Sequence, residues 1–439
     1  MKNITVILLL VLSGSTCYAQ PAAELIDEQN VSRIMKALSA DAMMGRPASN
    51  PKLIEPATAF LEKEFQVIGL KPLPGLTGYR QQFEKHRIRP GASEVIVDAR
   101  KVQHDQFLIV SEKKELRFTQ GLGQREIQFD STIANPDQYF VSKALQELRD
   151  TTSAIVWVSP EFTNGFARLK RFYGERFSNN SKFDKVFILA TDPGSSYSIK
   201  ATQKIETIRM ANVVGILEGK SRKDEYVIFS AHYDHIGVQK SVNGDSIANG
   251  ADDDASGTTA VLELANYYRK TANNNRTLIF VAFTAEEIGG FGSRYFSEQI
   301  DPEKVVAMFN IEMIGKPSKW GLRHAFITGF ERSDFGAILQ KNVKESGFTF
   351  MPDPYPDQNL FYRSDNATLA RLGVPAHSIS TDQIDSDELY HSVDDEFETT
   401  DLANITSTIQ AIAAGARTIV EGTDTPSRID KLQVRPGRN

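Results

Sequence analysis

The chain contains 439 residues, of which 41% are hydrophobic and 24% are charged, as expected for a globular protein with a sizeable core. This length allows two domains, or one large domain that carries an insertion. The formal net charge of −6 gives no electrostatic reason to expect a nucleic acid or an anionic membrane surface as a partner.

The N-terminus has the three-part pattern of a secretory signal. A short basic lead precedes the apolar run from Ile4 to Leu12, and small residues follow as far as Ala19. We therefore predict a signal peptide over residues 1–19 and export to the periplasm or the medium. The apolar run is too short to span a bilayer. The alternatives are an uncleaved anchor and lipidation of Cys17, although Gly14 stands where a lipoprotein signal usually has leucine.

Cys17 is the single cysteine of the chain, and it lies inside the predicted signal. Cleavage would leave a mature protein without a thiol, which could form neither disulfides nor zinc–thiolate sites. Any metal must then be held by histidine and carboxylate side chains.

The next part of the chain shows two patterns. Val31 to Leu70 repeats apolar residues at helical steps, and a strand is predicted from Tyr79 to Phe83. Short β-type runs then alternate with polar, turn-rich segments until about residue 205. The predicted domains are a main catalytic domain of residues 20–85 and 206–425, an inserted β-rich domain of residues 86–205, and a polar, frayed tail of residues 426–439.

From about residue 207 strands and helices alternate. Predicted strands include Tyr226 to Ser230 and Leu278 to Phe283, and a helix is predicted from Gly257 to Arg269 with Ser256 as its N-cap. This alternation predicts an α/β fold with a mostly parallel, mixed sheet that is flanked by helices. Ligands of such sheets bind beyond the carboxyl ends of the strands.

Five short polar stretches follow the apolar runs of this part, and together they supply the ligands of a two-metal hydrolase. They are Ala231 to His235, Gly250 to Gly257, Ala285-Glu286-Glu287, Asn310 to Met313 and Tyr390-His391. The aspartate triplet from Asp252 to Asp254 would repel itself unless a cation or hydrogen-bond donors compensate it.

The pair Glu286-Glu287 follows a strongly apolar strand. Two adjacent carboxylates at a buried strand end are costly if both stay charged without partners. A metal ion resolves this cost for one of them, and the other can then act as a general base.

His232 and His391 are the predicted imidazole ligands. The spacing from His232 to Asp234 would allow this carboxylate to accept the second ring N–H of His232 and so fix its tautomer. His235 could compete as a ligand, but it is predicted to lie on the opposite side of an extended segment from Asp234.

These motifs resemble metallopeptidase family twenty-eight, the secreted zinc aminopeptidases related to glutamate carboxypeptidase. The resemblance covers about residues 30–83 and 206–421 and includes Met43-Met44-Gly45-Arg46. It implies a zinc-exopeptidase fold that binds two zinc ions and a peptide substrate, with a protease-associated insertion in place of residues 86–205.

The resemblance also implies a role for each matching residue. The metal ligands are His232, Asp253, Glu287, Glu312 and His391, with Asp253 shared by both ions; Glu286 is the general base for a metal-bridging water, and Tyr390 stabilises the oxyanion. Many members have aspartate at the position of Glu312, whose extra methylene allows a different or bidentate ligation.

Aminopeptidase activity is the leading expectation, while dipeptidase and carboxypeptidase activities fit the same residues. Two alternatives of other kinds remain open. One is a glutaminyl-peptide cyclase, which would use a single zinc, and the other is a non-catalytic binding module on a peptidase-like scaffold. The sequence does not indicate an oligomeric state.

Overall fold

A mixed sheet lies at the centre of the larger of two structural units. The computed structural model describes residues 22–120, 124–129 and 136–435, and within them the larger unit comprises residues 22–48, 52–81 and 211–435. Across this sheet the strands follow in the order Thr349–Pro352, His324–Ile327, Ala376–Ser380, Val305–Ile311, Arg222–His232, Arg276–Phe283 and the last part of Tyr197–Leu217.

The four strands from Ala376–Ser380 to Arg276–Phe283 are parallel to one another. The flanking pairings formed by His324–Ile327 with Ala376–Ser380 and by Tyr197–Leu217 with Arg276–Phe283 are antiparallel. The prediction of a mostly parallel, mixed α/β sheet is therefore confirmed. Parallel strands must be joined by crossover connections, which bring their carboxyl ends to the same edge of the sheet.

Helices surround this sheet, and Gly257–Thr271 packs against strands Arg222–His232 and Arg276–Phe283. The predicted helical stretch from Val31 to Leu70 forms two helices, Glu28–Leu38 and Pro51–Ile68. The remaining α-helices of this unit are Ala22–Leu25, Phe291–Gln299, Phe335–Val343, Asn366–Ala370, Leu402–Gly415 and Arg417–Glu421, and its remaining strands are Lys71–Pro72, Gly237–Val242, Asp245–Ala248 and the first residues of Arg80–Val97.

The core of the sheet explains why its central strands are so apolar. Every residue of Arg276–Phe283 is buried, as expected for a parallel strand that is covered on both faces. Phe229 is stacked against Phe280, Phe309 and Tyr268, with ring centroids 5.6, 4.9 and 5.4 Å away.

The smaller unit comprises residues 49–51 and 82–210, a range that includes the predicted insertion of residues 86–205. Its four-stranded sheet has the order Phe107–Val110, Lys185–Leu189, Ala154–Val158 and Arg125–Phe129. Two helices that the sequence did not predict, Pro136–Arg149 and Thr163–Gly174, accompany the strands. Short strands at Arg100–Lys101, Glu115–Thr119 and Arg176–Phe177 complete the unit, together with the inner parts of Arg80–Val97 and Tyr197–Leu217.

The structure describes most of the predicted C-terminal tail but none of the predicted N-terminal signal. The predicted signal of residues 1–19, including Cys17, lies outside the described residues. In the described part of the chain, no helix is both long enough and apolar enough to cross a membrane. Near the C-terminus Ile429 and Val434 are buried against the core of the larger unit. This part of the predicted tail is therefore packed rather than frayed.

Candidate metal centre

The carboxyl ends of three parallel strands carry the polar residues of the predicted site. His232 is the last residue of Arg222–His232, and Glu312 directly follows Val305–Ile311. Glu286 and Glu287 come just after Arg276–Phe283. The sheet therefore brings residues that are far apart in sequence to one edge.

Asp253 lies between two pairs of ligand-type side chains. Its Oδ1 lies 3.2 Å from Nε2 of His232, and its Oδ2 lies 3.2 Å from Nε2 of His391. Nε2 of His232 is also 3.2 Å from Oε1 of Glu312, and Nε2 of His391 is 3.0 Å from Oε2 of Glu287. Each oxygen of Asp253 thus faces its own imidazole–carboxylate pair, which is the arrangement that a bridging carboxylate requires. All five predicted metal ligands are brought together.

The donor set fits a cation, because each of the two predicted histidine ligands faces two carboxylates. Burial opposes a charge on His391, but its contacts with Asp253 and Glu287 outweigh this effect and raise its pKa to about 10. Burial likewise opposes a charge on His232, yet Glu312 and Asp253 raise its pKa well above the usual value. Zinc binds neutral imidazole and deprotonated carboxylate, so it would replace the proton that each pair otherwise holds.

The three aspartates of the triplet have three different environments. Asp253 alone of the three faces the two imidazole–carboxylate pairs. Oδ1 of Asp254 accepts the N–H groups of Gly257 and Met313, both at 3.0 Å, and its Oδ2 accepts the N–H of His232 at 3.2 Å. Oδ1 of Asp252 accepts the N–H of Gly315 at 2.6 Å. The flanking aspartates therefore hold the backbone around the ligands.

The start of helix Gly257–Thr271 lies directly against the end of a strand. A Cβ atom at Gly257 would lie 2.2 Å from the carbonyl oxygen of Ile311, so a side chain has no room there. Ser256 occupies the predicted N-cap position of this helix, but its side chain makes no capping hydrogen bond. Its hydroxyl donates to the carbonyl of Asp252 at 2.7 Å and accepts the N–H of Ile314 at 2.9 Å, so it connects two loops of the site.

Glu286 has the environment that a general base needs. The chain turns at Ala285, whose φ is 62°, and the N–H of Glu286 then donates to Oδ1 of Asp234 at 3.1 Å. Burial raises the pKa of the Glu286 carboxyl well above its usual range; His232 opposes this effect, while neighbouring carboxylates such as Asp365 add to it. A raised pKa suits a group that first takes a proton and later donates it.

Asp234 supports His232 through a different atom from the one predicted. Nδ1 of His232 lies 3.0 Å from the backbone oxygen of Asp234, so the ring N–H donates to this carbonyl. The Asp234 carboxylate lies 3.8 Å from the same nitrogen and accepts the N–H of Glu286 instead. Because this carbonyl accepts the Nδ1–H of His232, the tautomer of the ring is still fixed, and Nε2 is left to face the carboxylates.

His235 lies closer to the site than the sequence indicated. It is fully buried, and its Nδ1 lies 2.8 Å from Oε1 of Glu287 and 3.8 Å from Oδ2 of Asp253. Strand Arg222–His232 ends before this residue, so the alternation of an extended segment does not apply to it. The second pair therefore has an additional imidazole beside it.

Glu312 and Tyr390 are held by neighbouring side chains. Oε2 of Glu312 accepts a hydrogen bond from Ser364, which leaves Oε1 facing His232 and favours ligation through one oxygen. The Tyr390 ring stacks on His391 with 3.9 Å between ring centroids, and its hydroxyl lies 3.5 Å from Nη2 of Arg363. Glu312, Ser364, Arg363 and Tyr390 all line one cavity of about 60 Å³.

Arg46 is a supporting residue whose role the sequence did not reveal. Its guanidinium is completely buried and donates to backbone carbonyls on both loops that carry the first ligands, at Tyr233 and at Gly250. Its position in the string Met43-Met44-Gly45-Arg46 was the one signal available, and that string says nothing about what the side chain contacts.

The α/β sheet of this chain, with two imidazole–carboxylate pairs around a shared aspartate, is typical of a metal-dependent hydrolase. Residues 212–416, a range that contains all five predicted metal ligands, match Peptidase family M28.

The comparisons with individual proteins agree with this match. The chain is 31% identical over 196 residues to a probable leucine aminopeptidase of Trichophyton verrucosum, an alignment that covers 43% of this chain and 51% of that protein. It thus spans about half the length of that relative. It is 25% identical over 391 residues to leucine aminopeptidase 1 of Trichoderma harzianum, covering 83% of this chain and 88% of that protein. The solved structure of BSAP, a zinc aminopeptidase from Bacillus subtilis, has the same fold, with a TM-score of 0.55 and 15% sequence identity. That alignment covers 92% of this chain and 98% of the BSAP chain.

Proposed function

We propose that this chain is an exported, zinc-dependent aminopeptidase with two zinc ions and Glu286 as its general base. The observation that carries the proposal is the position of Asp253, whose two oxygens face separate imidazole–carboxylate pairs. The similarity to proteins named leucine aminopeptidase supports cleavage of the amino-terminal residue. The signal pattern of residues 1–19 supports export.

The ligands divide between the two ions by distance. His232 and Glu312 would hold one zinc, Glu287 and His391 would hold the other, and Asp253 would contact both. Bound zinc would supply a Lewis acid for the scissile carbonyl and would lower the pKa of the attacking water toward about 7.

Two side chains of this site act on the reacting groups. One transfers a proton, and the other donates a hydrogen bond to the oxyanion. Glu286 takes the proton of the attacking water, because its buried carboxyl has a raised affinity for protons. It then donates this proton to the departing amine of the peptide. The hydroxyl of Tyr390, which lies at the cavity beside Glu312, donates to the developing oxyanion. Loss of one such donor typically lowers the rate by about 10²–10³.

The neighbours Glu286 and Glu287 form a matched pair for a test. Glu286→Gln should keep two zinc ions per chain and lower kcat by about 10²–10⁴ on a leucine chromogenic substrate, the range for general acid–base catalysis. Glu287→Gln removes a charge from the adjacent position but should lose zinc as well as activity. Zinc is measured by elemental mass spectrometry on the same samples that are assayed.

Three results would contradict parts of the proposal. Full activity of Glu286→Gln would remove Glu286 as the base. Cleavage of N-acetylated peptides in preference to free ones would exclude an aminopeptidase. A single zinc per chain together with cyclisation of an N-terminal glutamine would identify a glutaminyl cyclase instead.

A further inference from the structure

A separate group of carboxylates lies next to the metal centre and includes none of its predicted ligands. Asp252, Asp382 and Asp387 offer oxygens that all lie within 4.8 Å of one another. Asp252 directly precedes the shared ligand Asp253. The other two residues belong to segment 381–391, which follows strand Ala376–Ser380 and ends at His391.

Asp382 is the member of this group that most needs a positive partner. It is 3% exposed, and neither of its carboxylate oxygens accepts a hydrogen bond from the described residues. Oδ2 of the completely buried Asp252 also lacks a hydrogen bond within this part of the chain. Burial, followed by the charges of Asp252 and Asp387, raises the pKa of Asp382 to about 8. A buried carboxylate without a partner is costly to a fold.

One ammonium group compensates only a part of this charge. Nζ of Lys316 lies 2.6 Å from Oδ2 of Asp387 and 3.3 Å from Oδ2 of Asp252. The carboxylate of Asp395 also faces the group and accepts the N–H of Asp252 at 3.0 Å. When all four carboxylates are ionised, one ammonium leaves three negative charges, and a divalent cation would reduce them to one.

We propose that Asp252, Asp382 and Asp387 bind a third cation of the calcium type, distinct from the two zinc ions. The three donors are all carboxylate oxygens, which hard cations prefer. Calcium binds such oxygens at about 2.3–2.6 Å, so two of its ligand atoms lie at most about 5 Å apart, and the oxygens of this group stay within that limit. Backbone carbonyls and water complete its six to eight ligands in typical sites.

The position of this cation gives it a specific effect. It connects the aspartate triplet to segment 381–391, which carries Tyr390 and His391. Binding should therefore stabilise the loop that supplies the last zinc ligand and the oxyanion donor. The competing occupant is a proton shared by Asp382 and Asp387, which would satisfy these two groups without any metal.

The test uses the zinc-loaded full chain, first freed of calcium and then titrated with CaCl₂. We expect one Ca²⁺ per chain by calorimetry and by elemental analysis after desalting, with an unchanged zinc content and a melting temperature that rises to a plateau. Asp382→Asn should weaken calcium binding on the order of tenfold or more, because it removes a charged ligand. Lys316→Met should keep or tighten binding, because the competing ammonium is removed.

Asp385→Asn is the matched control, because it removes the same charge from an exposed position of the same segment. It should bind calcium like the unaltered protein. If Asp382→Asn does not fold, Asp387→Asn, which is less buried, replaces it in the comparison. The absence of calcium uptake up to about 10 mM, above the range of weak calcium sites, would overturn the proposal. Equal affinity in Asp382→Asn or Asp387→Asn would overturn it too.

Discussion

Replacing Arg46 with methionine tests how the loops that carry the metal ligands are held in place. The buried guanidinium donates through Nε to the carbonyl of Tyr233 at 2.7 Å and through Nη2 to that of Gly250 at 2.9 Å. Its Nη1 donates to the carbonyls of Leu38 and Asn249 at 2.6 and 2.5 Å. One side chain therefore joins a helix end to both ligand loops.

The size of the effect follows from these four hydrogen bonds. A hydrogen bond to a charged group contributes about 1.5–3 kcal/mol, and the four are not additive because they share one donor group. Methionine fills much of the aliphatic volume but leaves the carbonyls without a donor. The expected loss in the free energy of unfolding is about 3–5 kcal/mol, the cost of breaking a buried charged interaction. Arg46→Lys should lose less, since an ammonium can reach some of the carbonyls but lacks the planar fork.

The assay combines urea unfolding with zinc competition against a chelating dye. Zinc affinity and kcat should both fall in Arg46→Met, because the loops that carry His232 and Asp253 lose their common anchor. Arg417→Met is the control, since the Arg417 side chain is 51% exposed and its contact with Glu421 is a surface ion pair. A loss below about 1 kcal/mol in Arg46→Met would refute the energetic reasoning. A large loss with unchanged zinc affinity and kcat would show that Arg46 stabilises the fold without positioning the ligands.

Two further predictions concern histidines. His377 is buried between Ser333 and Thr328, and burial lowers its pKa to about 4 from 6.5. Because the pKa of His377 is lower in the folded than in the unfolded protein, its contribution to the free energy of unfolding is complete above pH 6.5 and is lost as the pH falls toward 4. From this residue alone, the free energy of unfolding should be about 2 kcal/mol lower at pH 5 than at pH 8. In urea unfolding, the free energy of unfolding of His377→Gln should depend less on pH than that of the unaltered protein. An equal pH dependence in the two proteins would contradict this. At the second imidazole–carboxylate pair, His391→Ala should lose one zinc while His235→Ala keeps both, and the reverse result in elemental analysis would make His235 the ligand.

The position of the site could be predicted from the sequence because it depends on local patterns. Buried parallel strands are continuous apolar runs, and their carboxyl ends meet at one edge, so His232, Glu287 and Glu312 had to lie near one another. The ligand types required no contact information either, because a chain whose single cysteine lies in a predicted signal offers histidine and carboxylate for zinc.

The supporting residues could not be predicted in this way, because their roles depend on contacts between distant segments. Arg46 donates to Gly250, which is 204 positions away along the chain. His235 lies just beyond a strand end, where alternation no longer says which way a side chain points. Asp382 belongs to no motif, and its neighbour Asp252 is indistinguishable from Asp253 by sequence pattern alone.

The hydrogen bonds around the aspartate triplet have a consequence for metal binding. Asp254 accepts backbone N–H groups from the segments of His232 and Met313, and Asp395 accepts those of Asp252 and Asp253. The acceptors Asp254 and Asp395 are not among the predicted metal ligands, so these bonds can position the ligand backbone independently of zinc. The histidine–carboxylate contacts then mean that zinc must displace protons rather than rebuild loops. Zinc affinity should therefore rise steeply with pH, while the apo and zinc-bound proteins should share nearly the same fold.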